Sequence, residues 1–307
     1  MFRKAERKKA KLRLAIAGPS GSGKTYSALR IATGLGGPIA LIDTERGSGD
    51  LYSDAFEYDI SPINDSFAPE EYIKRIDAAE QTGYNVLIID SLSHAWAGVG
   101  GILDIKDHIA KSTRTQNDFA AWREATPKHN ELVDTILKSS LHLIVTLRTK
   151  TGYEIAQDDK GKTRVQKLGL AFVQREGLEY EFTVVLDLSI DGHTATSTKD
   201  RTRLFDGKYF TPTEETGRQL LSWLTTGADP HAAAVSEVTG ILGSLNLQEL
   251  SDAYWHYVSR KYGISSVTDL TQQQLLEQST ILQQCHRSPE RLEQFRQLLG
   301  NTPPQTQ

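Results

Sequence analysis

The stretch LAIAGPSGSGKTYSALRIA, residues 14–32, decides the fold of this chain. Its centre, GPSGSGKT at 18–25, fits the P-loop pattern of a glycine, four residues, then glycine, lysine and threonine. The apolar run Leu12–Ala17 before it predicts a buried strand, and apolar residues at helical spacing follow Thr25. A strand, a glycine-rich turn and a helix in this order gather backbone N–H groups around an anion. The stretch therefore predicts a phosphate-binding loop.

The chemistry of this loop predicts ATP and Mg²⁺ as its ligands. Lys24 brings a positive charge to the β- and γ-phosphates, and the Thr25 hydroxyl is an oxygen ligand for the metal. The predicted nucleotide-binding residues are Gly18, Pro19, Ser20, Gly21, Ser22, Gly23, Lys24, Thr25 and Tyr26. The alternative is a glycine turn that joins strand to helix without a ligand.

Further carboxylates end two other apolar runs. VLIID at 86–90 ends in Asp90, which beside a P-loop predicts a residue that holds hydrated Mg²⁺; alone, it would equally suit a turn cap. LIDTERG at 41–47 carries Asp43 and Glu45. Hydrolysis needs a group that orients or deprotonates the attacking water, and we assign it to Glu45 because Asp43 lies closer to the strand interior. The alternative for both is a solvated or arginine-paired carboxylate.

Composition places the chain among ordinary globular proteins. It has 307 residues, 38% of them hydrophobic, and a formal net charge of −4. The single cysteine, Cys285, excludes an internal disulfide and favours a reducing compartment. No apolar run reaches the ~18 residues of a membrane span, so we expect no membrane contact. The basic start MFRKAERKKAKLR predicts a solvated tail, with nucleic-acid contact as the alternative.

Apolar runs alternate with helical patterns over the first two thirds, which predicts an α/β core with a mostly parallel sheet. The predicted parallel strands are Leu12–Ala17, Ile39–Asp43, Val86–Asp90 and Leu143–Leu147. An antiparallel extension is predicted from Tyr153–Ala156, Arg164–Leu168, Phe182–Leu188 and Thr194–Thr198. Helices are predicted at Pro69–Glu80 and, broken at Thr126-Pro127, at Asp118–Glu124 and Pro127–Lys138, because an interior proline removes a helix hydrogen bond.

The C-terminal part carries only helical patterns. They follow TTGADPHAAA at 225–234 and include a capping box of Thr271 with Gln274. We therefore predict a small all-α domain after the core. The predicted organisation is a basic tail at 1–10, an ATPase core at 11–226, a helical accessory domain at 233–300 and a disordered tail at 301–307.

Four motifs make the chain similar to the RecA-like branch of P-loop ATPases, which includes RecA, RadA, the DnaB-type helicases and KaiC. They are GPSGSGKT, LIDTERG, VLIIDSLS and HLIVTLRTK, in this order within residues 11–205. Within the branch the chain most resembles phage-encoded RecA-like ATPases of an AAA-family group associated with Sak-type single-strand annealing recombination. IIDSLSHAWAG, QREGLEYEFTVVLD and STKDRTRLF carry this closer resemblance. The resemblance implies a RecA-like P-loop core and does not cover the C-terminal helices.

The resemblance also implies roles for individual residues. Glu45 matches the catalytic glutamate of RecA-like enzymes, and Tyr52 matches a tyrosine that packs on adenine; a core or surface tyrosine is the alternative. Arg148 stands where these proteins sense the γ-phosphate, although RecA has an amide there. Lys199 and Arg201 are similar to a pair inserted into a neighbour's ATP site, which implies a ring or filament. Their alternative is a solvated strand end.

Contact with single-stranded DNA is predicted for the segment after the fourth strand. A positive surface interleaved with aromatic residues suits a single strand, and Tyr153 lies among the basic residues. The predicted DNA-binding residues are Lys150, Lys160, Lys162, Arg164 and Lys167. Because Glu154, Asp158 and Asp159 interleave with them, a mixed-charge surface hairpin is the alternative.

Together these features predict a Mg²⁺-dependent ATPase that binds single-stranded DNA and promotes phage-type recombination or annealing as an oligomer. The predicted location is the cytoplasm of a bacterial host cell, where a single-strand DNA-binding protein is a further candidate partner. Two other classes of function remain open. One is a P-loop kinase with a small-molecule acceptor, and the other is a nucleotide-switched partner-binding protein without a DNA role.

Overall fold

The chain divides into two compact units, Ala10–Leu224 and Thr225–Gln307 together with Met1–Lys9. A computed structural model describes residues 4, 7–112, 118–157, 163–227, 230–245, 247 and 250–300. Each unit has its own buried apolar residues.

A mixed sheet forms the centre of the first unit. Its strands are β1 (Arg13–Gly18), β2 (Ile39–Asp43), β3 (Asp59–Pro62), β4 (Val86–Asp90), β5 (His142–Gln157), β6 (Thr163–Phe172), β7 (Val184–Leu188), β8 (Ala195–Asp200) and β9 (Tyr209–Phe210). The order is β3-β2-β4-β5-β1-β7-β8-β9, and β6 pairs with β5. The path from β3 to β7 is parallel, whereas β6, β8 and β9 add antiparallel pairs. This confirms the predicted fold class.

Helices cover both faces of this sheet. They are α1 (Lys24–Leu35), α2 (Pro69–Thr82), α3 (Ser93–Ala97), α4 (Ile102–Ser112), α5 (Asp118–Lys138) and α6 (Glu214–Thr225). Successive side chains of β1 point to opposite faces: Leu14 and Ile16 pack with α1 and α6, and Ala15 and Ala17 pack with α2 and α5. The strands are therefore apolar without alternation because both of their faces are buried.

The strand predictions agree with the structure most closely at the centre of the sheet. Both bounds of β2 and β4 are as predicted, and β1 is displaced by one residue. The predicted strands 143–147 and 153–156 are parts of the single strand β5. Its first part pairs with β1 and β4, and from Thr149 onward it pairs with β6, with an irregularity between Gly152 and Tyr153. The edge strands β3 and β9 have four and two residues and were not predicted, because such short runs carry little pattern.

The predicted break at Pro127 is wrong, because α5 is one helix from Asp118 to Lys138 with Pro127 inside it. Proline removes one hydrogen bond from the helix. The helix nevertheless continues because buried residues at helical spacing lie on both sides of the proline. They are Ala121, Ala125, His129, Leu132 and Ile136. Tertiary packing of this face outweighs the local cost.

The second unit is helical in the part that the structure describes. Its helices are α7 (Pro230–Ser244), α8 (Ser251–Tyr262), α9 (Gln272–Arg287) and α10 (Pro289–Gly300). The predicted capping box of Thr271 and Gln274 is present, with both of its hydrogen bonds. Gly263 ends α8 with a φ of 65°, a left-handed conformation that suits glycine.

Among the described helices of the chain, none is long and apolar enough to cross a membrane.

Candidate active site

The carboxyl ends of β1, β2 and β4, with the point on β5 where its parallel pairing with β1 ends, surround a cleft of about 490 Å³. Parallel strands end at the same edge of a sheet, so the polar residues that follow them converge there. The cleft is lined by Ser20, Gly21, Gly23, Lys24, Thr25, Glu45, Ser48, Leu51, Tyr52, Asp90, Arg148 and Thr149. The P-loop, both predicted acidic residues, Tyr52 and Arg148 thus lie in one site.

The P-loop is shaped by close packing and by left-handed turns. A Cβ atom on Gly18 would lie 2.5 Å from the Ser22 Oγ and 2.8 Å from the Leu188 carbonyl oxygen, so no side chain fits there. Gly23 has a φ of 84° and precedes α1, whose N-terminus has no side-chain cap. The buried Ser22 hydroxyl has no hydrogen-bond partner among the described residues. The loop therefore offers free donors, and it fits a polyphosphate.

Lys24 is held on the loop itself. Its Nζ donates to the Pro19 carbonyl oxygen at 2.8 Å. Burial lowers the pKa of Lys24, while the nearby carboxylates of Asp90 and Glu45 oppose that shift. The ammonium group is thus placed at the centre of the cleft, between the loop and the two acidic residues.

Asp90 ends β4 and is buried with 1% of its surface exposed. The Thr25 Oγ1 donates to its Oδ2 at 2.6 Å, and the Thr146 hydroxyl donates to its Oδ1. Burial raises the pKa of Asp90, while the two hydroxyl groups oppose the rise. Mg²⁺ prefers oxygen ligands, so the hydroxyl of Thr25 and the carboxylate of Asp90 fit this ion.

Asp43 and Glu45 have different surroundings. Asp43 is fully buried, and its carboxylate accepts from the backbone N–H groups of Glu45 at 2.7 Å and of Gly47 at 2.6 Å. It therefore fixes the loop after β2. The Glu45 side chain is half-buried and reaches into the cleft.

Arg148 forms an ion pair with Glu45 across the cleft. Its Nη2 lies 2.8 Å and its Nε 3.1 Å from the Glu45 Oε1. The two side chains are 47% and 29% exposed, so the pair contributes little to the free energy of unfolding. It can therefore separate at small cost when an anion enters.

Aromatic rings close one side of the cleft. Tyr52 lines it, and the Tyr26 ring lies 5.9 Å from the Tyr52 ring and 5.2 Å from the Phe56 ring. Tyr26 is 43% exposed. The structure thus brings both predicted tyrosines to the mouth of the site, where a flat base could contact them.

Lys199 and Arg201 lie away from this cleft. The Lys199 Nζ donates to the carbonyl oxygens of Glu179, at 3.0 Å, and Tyr180, and the Arg201 Nη2 donates to Tyr180 at 3.1 Å. Burial and the charge of Arg201 lower the pKa of Lys199. Both side chains therefore contact the turn before β7 of their own chain.

The sheet register places this pair at the edge opposite the P-loop. Gly18 pairs with Arg148 at the carboxyl end of β1, whereas Leu14, near its start, pairs with Val184. Because β8 runs antiparallel to β7, Asp200 pairs with Val184. The two edges are separated by about four residues of strand, ~13 Å.

The predicted DNA-binding residues are placed only in part. Lys150 is exposed on β5, two residues beyond Arg148. Lys160 and Lys162 lie outside the described residues, as do the side chains of Arg164 and Lys167 on β6.

Sequence reasoning missed three polar residues around the cleft. Thr146 binds Asp90 as described, the Ser93 Oγ accepts from the Arg148 N–H at 2.9 Å, and the His94 Nδ1 lies 2.6 Å from the Thr44 Oγ1. A signal was present. Thr146 interrupts the apolar run of β5, and SLSH at 91–94 places polar residues directly after the strand that ends in Asp90.

Comparison with known proteins agrees with this geometry. A family model described as an AAA domain matches residues 10–217, which is more than half of the chain and includes the whole cleft. None of the curated proteins compared with the chain matches it. The chain belongs to the AAA-domain family and is an AAA-type P-loop ATPase.

Proposed function

We propose that this ATPase hydrolyses ATP with Mg²⁺ and works as an oligomer on single-stranded DNA, in phage-type recombination or annealing. The observation that carries the ATP-hydrolysing part is the meeting, in one cleft, of an uncapped P-loop, the buried Asp90 and the half-buried Glu45. The DNA and recombination parts rest on the basic segment and on the motifs that resemble phage ATPases.

Each group in the cleft has a chemical task in this proposal. Lys24 and the uncapped N–H groups of α1 bind the phosphates. Thr25 and Asp90 would hold Mg²⁺, which supplies positive charge for the β- and γ-phosphate oxygens when bound. Glu45 orients the attacking water and accepts its proton, and Arg148 leaves Glu45 to contact the γ-phosphate.

The oligomeric part is supported by the position of Lys199 and Arg201. These cations lie at the opposite edge of the sheet from their own P-loop. Cations delivered to the γ-phosphate neutralise the charge that develops in the transition state. In an oligomer, the pair would therefore act on the ATP of a neighbouring subunit.

The DNA part is supported by the continuity of β5. The strand runs from Arg148 in the cleft through Lys150 into the pairing with β6. The Val173 N–H also donates to the Arg148 carbonyl oxygen at 2.8 Å, which ties the end of the hairpin back to the site. DNA bound to this hairpin would therefore be coupled to Arg148, the residue that contacts Glu45.

The test is phosphate release by wild type and Glu45→Gln, each with and without single-stranded DNA. We expect DNA to stimulate the wild type, and the variant to bind ATP but turn over about 10²–10⁴-fold more slowly because an amide accepts no proton. Glu131→Gln, an exposed change on α5, is the matched control. Wild-type turnover in Glu45→Gln would place the base elsewhere.

The same assay separates the other functions. A kinase would form ADP only with an acceptor and would release no phosphate, whereas a nucleotide switch would lose little when Glu45 is changed. Unstimulated turnover at all DNA concentrations would remove DNA from the proposal.

The salt dependence of DNA affinity tests the basic segment. Replacing Lys160, Lys162 and Arg164 by alanine should flatten the slope of log affinity against log salt by about 2, since each single-strand contact contributes ~0.7. The matched control replaces the exposed residues Lys74, Lys138 and Lys208 and should keep the slope. Equal slopes for the first variant and wild type would remove the hairpin from the DNA site.

A further inference from the structure

We propose that His94 is a positioning residue for Glu45, and that it acts through the hydroxyl group of Thr44. The inference rests on the proposed function, because it presupposes that Glu45 activates the attacking water. His94 itself is not among the residues that line the cleft, so its effect has to pass through another residue.

The sheet order gives the residues after β4 access to both neighbouring strands. β4 lies between β2 and β5. Glu45 follows the end of β2, and Arg148 lies on β5 where its parallel pairing with β1 ends. His94 contacts the β2 side through Thr44, at 2.6 Å. The preceding residue, Ser93, contacts the β5 side through the Arg148 N–H, at 2.9 Å. Two consecutive residues of α3 therefore contact the backbone N–H of Arg148 and the side chain of the residue before Glu45.

Thr44 can connect His94 to Glu45 because it is buried and lies between Asp43 and Glu45 in the sequence. Its N–H donates to the Asp90 carbonyl oxygen at 2.8 Å, and its hydroxyl accepts from the Ser91 N–H at 2.8 Å. The same hydroxyl lies 3.1 Å from the Asp90 carbonyl oxygen and 3.3 Å from the Ser91 carbonyl oxygen, and its contact with the His94 Nδ1 at 2.6 Å is the shortest of all. The backbone just before Glu45 is thus fixed from the β4 side.

The imidazole of His94 is itself held in place. It stacks on the Phe67 ring with centroids 4.8 Å apart and an interplanar angle of 28°. Burial lowers the pKa of His94, the charge of Arg148 lowers it further, and Glu45 and Asp43 oppose the shift. The ring is therefore neutral near neutral pH, and in either tautomer its Nδ1 can share a hydrogen bond with the Thr44 hydroxyl.

Loss of this contact should move Glu45 without unfolding the chain. Thr44 keeps its main-chain hydrogen bonds, and Asp43 still holds the N–H groups of Glu45 and Gly47. The Thr44 hydroxyl would lose its shortest contact, so the backbone that leads into Glu45 would be held less rigidly. A displacement of about 1 Å in a catalytic group can cost ~10²-fold in rate. ATP binding, which depends on the P-loop, should be unaffected.

Two substitutions separate the hydrogen bond from the ring stacking. His94→Phe keeps a flat ring against Phe67 but removes the Nδ1, whereas His94→Asn loses the stacking but keeps a polar atom at the Nδ1 position. We expect His94→Phe to lower kcat about 10–100-fold with KM for ATP changed less than about twofold, and His94→Asn to recover most of kcat. His108→Phe, at a histidine with 75% of its side chain exposed, is the matched control.

Turnover, ATP affinity and thermal unfolding are measured for wild type, both His94 variants, His108→Phe and Glu45→Gln. Normal kcat in His94→Phe, equal losses in His94→Phe and His94→Asn, or a matching rise in KM would overturn the inference. If Glu45→Gln loses turnover in the same series, the proposed function survives that outcome. If Glu45→Gln keeps turnover, the assignment of Glu45 falls, and the inference falls with it.

Discussion

The two edges of the sheet differ in the charged groups they carry and in the atoms that those groups contact. At the P-loop edge the buried carboxylates have partners from the same chain: Asp43 holds its own loop, and Asp90 accepts from two threonine hydroxyls. At the opposite edge, Lys199 and Arg201 are cations that donate to main-chain carbonyl oxygens of a turn. The first edge holds the cleft, whereas the second carries two cations that, in the proposed function, act on the ATP of a neighbouring subunit.

This difference gives each edge its own mode of failure. A change at the P-loop edge should disable the chain that carries it, because the groups for binding and for water activation belong to that chain. A change at the opposite edge should leave the chain's own cleft intact and disable its neighbour. Three substitutions, taken from the largest expected effect to the smallest, separate these modes.

Lys24→Ala should abolish ATP turnover, the largest effect of the three, because it deletes a positive charge that lines the cleft and that serves both phosphate binding and the transition state. The glycines that shape the loop stay in place, so far-UV circular dichroism and the midpoint of thermal unfolding should be near those of wild type. Phosphate release is the measurement. Normal turnover in a folded variant would mean that the cleft is not the site of hydrolysis.

Arg201→Ala should bind ATP normally and lose turnover by ~10³-fold or more, because the transition state loses a contact that the ground state does not use. Arg201 is exposed, so folding should be unaffected. Nucleotide affinity and phosphate release, measured on the same sample, distinguish this outcome from a loss of binding.

Mixing the first two variants tests whether the opposite edge acts on a neighbour. A Lys24→Ala subunit still has Arg201, and an Arg201→Ala subunit still has an intact P-loop. Mixed oligomers should therefore regain part of the activity at the interfaces where the intact halves meet. The role in trans would be wrong if oligomers shown to be mixed stay inactive, or if Arg201→Ala is active alone. Lys199 and Arg201 would then be solvated residues at the end of a strand.

The sequence predicted the P-loop edge far better than the rest because local signals specify it. GPSGSGKT, LID and VLIID each join a buried strand to a polar end, and parallel strands bring such ends together. The hydrogen bonds of Thr146, Ser93 and His94 were not predictable in this way. They join residues that are between 50 and 56 positions apart in the chain, and pairing of that kind appears only once the strand order is known.

Pro127 shows the opposite case, in which a prediction from a strong local signal is wrong because tertiary packing outweighs that signal. The residue predicts a break, yet α5 continues because Ala125 and His129 on either side of it are buried on one face. Local propensity is weak beside the packing of a whole helix face. The position of Lys199 could not be predicted from the sequence either. Motif order does not show that this residue lies at the edge away from Gly18, because that depends on the register of the strands.

The smallest predicted effect concerns stability, and it distinguishes the edges without any assay of activity. Asp90 is a buried carboxylate whose pKa is raised by burial, so the fold favours its protonated form. The contribution of that form to the free energy of unfolding is complete below the unfolded pKa of ~3.9 and is lost as pH rises through the folded pKa. Without Mg²⁺, the charged form of Asp90 therefore lowers the free energy of unfolding at pH values above the folded pKa.

Asp90→Asn removes this charge while its amide can still hydrogen bond to Thr25 and Thr146. In the presence of a chelator, the variant should be more stable than wild type by about 1 kcal/mol near pH 8, and the difference should shrink towards about pH 4. Urea unfolding across this pH range measures it. Arg201→Ala is the control, because an exposed guanidinium should change stability by less than about 0.5 kcal/mol at every pH. If Asp90→Asn does not change the stability, or changes it equally at every pH, the charge of Asp90 does not lower the free energy of unfolding. The P-loop edge would then not differ from the opposite edge in this respect.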